Sequence, residues 1–252
     1  MAPLPPVADR PSADRLTLDA IIPTLDEQSR IGALVERLLR RGSGSADRVD
    51  RAIVVDGGSR DRTAELAARA GAEVLRTAPS RGLQLAHGAQ AAGAEVLVFL
   101  HADAWPEDGS IERVRRAAAE RGLVVGAFHQ RIDAPGWFYR AVEWSADRRV
   151  AWRGMVYGDS GLVVRRGLYL RAGGFRPIPL FEDVELSRWL RRFARPELIR
   201  GADLRISPRR WRAEGALRAT LRNWMLRAAF EAGASPQSLL RFYRADGARE
   251  ST

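Results

Sequence analysis

The sequence predicts an α/β fold, with a mostly parallel β-sheet flanked by helices and a helical C-terminal extension. Two observations carry this. Short apolar, β-branched runs end at 22, 55 and 100 without polar alternation, as strands covered on both faces do. Between them lie segments of helical period, and a β-α-β-α rhythm gives right-handed crossovers and parallel pairing.

Taken in order, residues 16–22 form the first strand, which Pro23 ends. Residues 26–41 place Ile31, Leu34, Val35, Leu38 and Leu39 at helical spacing, and 42–46 make a loop. Strand two is 50–55, helix two 61–70 and strand three 73–76. Residues 80–92 form a helix of small residues suited to close packing on a sheet. Strand four is 95–100, followed by a polar-faced helix at 107–121. After Gly122 the regularity breaks. Strands are expected at 123–128 and 158–165, and helices at 137–152, 181–193 and 213–233. The domain reading is a disordered tail at 1–15, one domain at 16–212 and an amphipathic extension at 213–252. Within the domain, 16–121 is the nucleotide-binding half and 122–212 the acceptor-side half.

Composition narrows the chemistry. The 252 residues contain no cysteine, which excludes disulfides and Cys-ligated zinc. Any metal then rests on carboxylates or histidine, and Mg²⁺ or Mn²⁺ comes before Zn²⁺. The formal charge is +10, and all the basic residues are arginine. Codon bias explains that, and so does affinity for phosphates or an anionic membrane surface. No signal-peptide h-region opens the chain, and no run approaches the roughly 18 apolar residues of a membrane span. The expected location is cytoplasmic, with peripheral contact at the inner face of the cell membrane left open.

Polar groups follow the strands. In open α/β sheets ligands sit at the strands' carboxyl ends, so Asp26, Glu27, Asp56 and Asp103 are expected to converge on one crevice. There is no Gly-x-Gly-x-x-Gly after strand one and no Walker-type lysine, which argues against dinucleotide oxidoreductases and P-loop ATPases. The loop after strand one offers Pro23, Thr24, Asp26 and Glu27 for a base or ribose; helix capping is the plainer role of Thr24 or Asp26. Asp56, Gly57 and Gly58 follow strand two, where glycine lets a backbone approach closely. Asp61 reads as a cap before a ligand. Arg81 stands near a helix start, where it can pair with a diphosphate or lie on the surface. His101, Ala102 and Asp103 close strand four, with Asp103 as metal ligand or turn former. Glu182 and Asp183 open a helix; helix-dipole stabilisation accounts for both, and a general base accounts for one. Arg209, Arg210 and Trp211 suit diphosphate and sugar-ring contacts or a basic turn. In 213–233, Leu217, Leu221, Trp224, Met225 and Ala228 share one face, which either packs on the core or meets an anionic membrane or a lipid-linked acceptor.

Together these segments resemble the family 2 glycosyltransferases of the Rossmann-like GT-A fold, from about residue 16 to 212. The segment from Ile22 to Glu27 resembles the family's opening strand and loop, and Val55 to Thr63 its base-contacting segment. His101-Ala102-Asp103 stands where the family has Asp-x-Asp. Phe181-Glu182-Asp183 is similar to its Glu-Asp base motif, and Ser207-Pro208-Arg209-Arg210-Trp211 to the Gln-x-x-Arg-Trp motif. The nearest subgroup is the small bacterial radical-SAM/selenodomain-associated transferases. His101 replaces the first Asp of Asp-x-Asp, Gly57 replaces a second Asp, and Ser207 replaces the Gln, so processive synthesis is not implied.

The resemblance implies an inverting, hexosyltransferase-like enzyme that uses a nucleoside-diphosphate sugar such as a UDP-sugar. It implies Mg²⁺ or Mn²⁺ at Asp103, Asp183 or Glu182 as base, and Arg81 with Arg210 on the diphosphate. A sugar nucleotidyltransferase and a non-catalytic membrane-surface protein are the other readings; neither requires nucleic acid.

Overall fold

The computed structural model describes residues 16–40 and 46–244. The expected tail at 1–15, most of the loop at 42–46 and residues 245–252 lie outside the described residues, as do the side chains of Arg210 and Leu217. The strands are β1 (Leu18–Thr24), β2 (Arg51–Asp56), β3 (Glu73–Arg76), β4 (Val96–Phe99), β5 (Ala104–Pro106), β6 (Val125–Ile132), β7 (Leu162–Arg165) and β8 (Glu197–Ile206). The first five helices are α1 (Ile31–Leu39), α2 (Thr63–Arg69), α3 (Arg81–Ala91), α4 (Ser110–Ala119) and α5 (Trp137–Arg153). Then come α6 (Arg166–Arg171), α7 (Glu182–Leu190), α8 (Arg209–Glu214), α9 (Ala216–Glu231) and α10 (Pro236–Arg244).

One sheet of eight strands, in the order β3-β2-β1-β4-β7-β6-β8-β5, organises the molecule. The pairs among β3, β2, β1 and β4 are parallel. Beyond β4 the pairing turns antiparallel through β7 to β6, returns to parallel between β6 and β8, and ends antiparallel at β5. Successive side chains of a strand face opposite sides. In β1 this sends Ala20 and Ile22 into a core with Ile31, Leu34 and Leu38 of α1, and Ile21 into a second core with Leu85 and Ala89 of α3. Burying each Ile or Leu contributes roughly 1.5–3 kcal/mol, so both faces of β1 hold the fold. The small-residue helix packs as its composition requires. A Cβ on Gly88 of α3 would lie 2.5 Å from Ile21 and 2.9 Å from Val55.

Four expectations need correction. The helix expected at 26–41 begins at Ile31, because Asp26 to Arg30 form a turn: Arg30 N–H donates to Glu27 O, while the N–H groups of Asp26, Glu27 and Gln28 donate to the side chains of Ser59, Thr63 and Asp61. The strand expected at 158–165 is a short 3-10 turn, Gly158–Ser160, followed by β7. The helix expected at 213–233 is broken at Gly215, whose φ of +84° favours glycine and separates α8 from α9. The expected apolar face of that helix is not its core face. Leu221, Trp224, Met225 and Ala228 are exposed, whereas Ala219 and Leu226 are buried and Phe230 packs with Leu180 and Leu239. Among the described residues no helix is long and apolar enough to cross a membrane.

Candidate active site

The loops after β1 and β2 are laced together. Asp26 has φ +54°, a left-handed conformation that Asp tolerates better than most residues. Its N–H donates to Ser59 Oγ (2.9 Å), and its Oδ1 accepts from Arg60 N–H (2.8 Å). Glu27 N–H donates to Thr63 Oγ1 (2.8 Å), and Gln28 N–H to Asp61 Oδ2 (3.2 Å). Burial works against the charge on Asp61, but bonds from Thr63 and Gln28 outweigh it and hold its carboxyl below the ordinary value. Asp61 is therefore a brace between two loops, and its Oδ1 also accepts from the Thr63 N–H (2.9 Å) at the start of α2. Asp56 is buried and turned back on its own loop, accepting from the N–H groups of Gly58 (3.3 Å) and Ser59 and from the Ser59 hydroxyl.

Gln84 of α3 was not singled out in the sequence. Its Nε2 donates to Thr24 O (2.9 Å) and Val55 O (2.8 Å), joining the ends of β1 and β2. Gly57 leaves room for it, since a Cβ there would lie 3.1 Å from that same nitrogen.

The cleft lies on the other side of β4. It encloses about 250 Å³, and Arg81, His101, Asp103, Asp183 and Trp211 all contribute to its wall. Asp103 is positioned by the turn after β4, where its carbonyl accepts from Ser207 N–H (3.0 Å). Trp211 is held by its Nε1–H donating to Thr220 Oγ1 (3.4 Å) and by edge contact with Tyr139.

The two neighbouring acids of α7 are sorted by one strained residue. Phe181 has φ +65°, a costly conformation for a bulky side chain. Its ring stacks on Phe230 of α9 at 4.8 Å between centroids. From there Glu182 turns into the interior, 1% exposed, where it pairs with Arg81. Asp183 turns to the cleft, and its Oδ2 accepts from Gly158 N–H (2.7 Å). Gly158 is the contact point. A Cβ there would meet His101 Nε2 at 2.3 Å and Asp183 Oδ2 at 3.3 Å. Burial, reinforced by the Glu182 and Asp159 carboxylates, raises the Asp183 carboxyl above its ordinary value, while Arg81 and the Gly158 N–H pull the other way.

The expected convergence of four carboxylates is thus only partly realised. Asp103 faces the cleft. Asp26, Glu27 and Asp56, together with Pro23, Thr24, Gly57, Ala102 and Glu182, are outside its wall. Arg209 is also outside, and it pairs with Glu27 at 2.7 Å, which ties the segment after β8 to the loop after β1. The side chain of Arg210 lies outside the described residues.

Among the wall residues that escaped the sequence reading are Gln130, Arg149, Tyr157, Asp159 and Arg227. Arg149 pairs with Asp159 at 2.8 Å and lies over the Tyr157 ring. Arg227 of α9 approaches the other side of the site, 5.5 Å from the same ring. The run Tyr157-Gly158-Asp159-Ser160, polar and separated by three residues from an aromatic helix, is the signal that points to this wall.

Among the described residues, no group of three or more His, Asp or Glu is assembled to hold a metal. Asp103 alone fits a cation that arrives with its own phosphate and water ligands, as Mg²⁺ commonly does.

No curated protein sequence matches the chain. The TarS structure from S. aureus superposes with a TM-score of 0.63 at 15% identity, over 76% of this chain and 37% of that one. This chain therefore spans well under half of that protein's length. Glucosyl-3-phosphoglycerate synthase from Mycobacterium tuberculosis, in complex with Mg²⁺ and uridine diphosphate, gives 0.54 at 17% identity, over 77% and 70%. A mycobacterial protein gives 0.55 at 22% identity, over 79% and 70%. At such identities these likenesses show the fold, that of GT-A glycosyltransferases. The glycosyl transferase family 2 model matches residues 19–176, spanning β1 to the end of α6, and on that match the chain belongs to that family.

Proposed function

We propose that the chain moves a sugar from a nucleoside-diphosphate sugar to an acceptor hydroxyl with inversion, assisted by Mg²⁺ or Mn²⁺. One observation carries the reading: of the paired acids, Asp183 faces the cleft with a raised pKa while Glu182 is sequestered by Arg81. The donor class is supported by TarS, solved with uridine diphosphate and with UDP-GlcNAc. The metal is supported by the mycobacterial synthase, solved with Mn²⁺ and uridine diphosphate.

In this reading Asp183 takes the proton of the acceptor hydroxyl as its oxygen bonds to the anomeric carbon. The bond from that carbon to the diphosphate breaks, and the diphosphate leaves with the electron pair. Asp159 is engaged with Arg149 and Glu182 with Arg81. A single base at the acceptor suits one in-line displacement, whereas retention needs a second nucleophilic event. Asp103 is the residue that would hold a divalent cation, which when bound would offset the charge on the leaving diphosphate. Arg81 adds positive charge at the same wall, and Trp211 offers a ring face for stacking. Glu27, Asp56 and their loop are the base and ribose side of the same reading. Within the family, the motif sequence favours the radical-SAM/selenodomain-associated subgroup.

The test is transfer by Asp183→Asn beside Glu182→Gln. Asp183→Asn should lower turnover by about 10²–10⁴-fold, the usual contribution of a general base, with donor binding within a few-fold. Glu182→Gln should act mainly on stability. Unchanged turnover in Asp183→Asn removes the assignment.

A further inference from the structure

The outward side of α5 is an aromatic and cationic row that the transfer chemistry does not use. Trp137, Trp144, Arg148 and Trp152 follow at steps of seven, four and four, which places them on one helix face. The three tryptophans are 81%, 60% and 65% exposed. Arg148 lies between two of them, its guanidinium 4.1 Å from the Trp144 ring centre and 3.5 Å from that of Trp152. The acids of this helix are turned away. Glu143 is buried against the Ile132 N–H, and Asp147 pairs with His129. The exposed positions of α5 hold only Trp, Arg, Ala and Ser. Arg191 and Arg195, both exposed, add charge at its C-terminal end by donating to the carbonyls of Arg153, Ala151 and Trp152.

A tryptophan row is costly to leave in water, and a large exposed apolar patch marks an interaction surface. We propose that this face of α5 docks on an anionic lipid surface. Tryptophan rings settle at the headgroup level, where an apolar body and a polar N–H are both satisfied. Arg148 between two of them, with Arg191 and Arg195 beside the row's end, matches a negative surface potential, and the chain as a whole carries +10. The opposite occupant, an acidic protein patch, would match the arginines but leave three tryptophans without an apolar partner. α5 and α9 are two of the helices that wall the cleft, through Ser145 and Arg149 and through Asn223 and Arg227. Docking would set the cleft beside the lipid.

The test is co-sedimentation of the full chain with vesicles of phosphatidylcholine alone and with added phosphatidylglycerol, without nucleotide or metal, so that it is independent of the transfer reading. The expected result is binding to the anionic vesicles only, with a blue shift of tryptophan emission and release by high salt. Arg148→Glu should weaken binding by about thirtyfold, the effect of two charge units near the surface. The triple variant Trp137→Ser, Trp144→Ser, Trp152→Ser should abolish it. Unchanged melting temperatures show that both variants fold. Absent binding, equal binding to neutral vesicles, or variants that bind like the parent overturn the proposal. So does a dimer in sedimentation equilibrium that the triple variant dissociates, because a second copy would then be the occupant.

Discussion

The two halves of the sheet use their strand ends differently. In the parallel half, the polar residues after β1 and β2 bond to one another: Asp26 to Ser59 and Arg60, Gln28 to Asp61, Asp56 to Ser59. Beyond β4, where pairing turns antiparallel, polar residues from the β4–β5 turn, β6, α5, the Gly158–Ser160 turn and α7 face a shared cleft. An acid after a strand can thus be a brace or a reagent, and its hydrogen bonds tell which.

The comparison can be broken first at the contact point of the cleft. Gly158→Ala puts a methyl group 2.3 Å from His101 Nε2 and beside Asp183. Displacing reacting groups by about 1 Å costs on the order of 10²-fold, so turnover should fall by that much in a steady-state assay. Next comes the link between the halves. Arg81→Ala leaves Glu182 buried without its cation. Breaking a buried pair costs about 3–5 kcal/mol, and urea unfolding should show a loss near the low end, since Arg81 is partly exposed. Arg209→Ala removes a more exposed pair with Glu27 and should cost about 1 kcal/mol or less. Within the parallel half, Gln84→Ala removes donors from two carbonyls at once and should cost about 1–3 kcal/mol.

The smallest effect is the most diagnostic for Asp183. Its folded pKa is raised, so its contribution to stability is fully present below the ordinary 3.8 and is lost as pH rises through the folded value. Asp183→Asn escapes that loss. The variant should match the parent near pH 3.5 and melt higher than it at pH 7 to 8. A variant that melts lower at neutral pH would show that the carboxylate is structural. Activity of the parent should rise with pH through the same titration, because the base acts ionised.

Much of the parallel half was legible because a strand covered on both faces reads as an unbroken apolar run. Residues 50–55 and 95–100 were expected, and β2 and β4 are Arg51–Asp56 and Val96–Phe99. The same rule hid β8, whose Glu197–Ile206 mixes exposed and buried positions and carries Gly201 at φ +72°. Nor could it find β5, which is three residues long and exists by pairing with β8. For the site, Arg81, His101, Asp103, Asp183 and Trp211 stand in recognisable segments and do meet in one cleft. Which acid of the pair turns inward was not legible, because it depends on the left-handed Phe181 and the distant Phe230. Arg149 and Arg227 were not legible either, for two arginines among many are selected only by tertiary packing.

The central claim is that the cleft takes a nucleoside diphosphate with its metal. The most direct measurement is a thermal-shift titration with UDP, GDP, CDP and dTDP, each with and without Mn²⁺, since a ligand of the folded state raises its melting temperature. The account predicts a shift for one diphosphate that requires Mn²⁺ and disappears in Asp103→Ala, with no shift for Mn²⁺ alone. A melting temperature unmoved by every diphosphate, or a shift that survives Asp103→Ala unchanged, would contradict it.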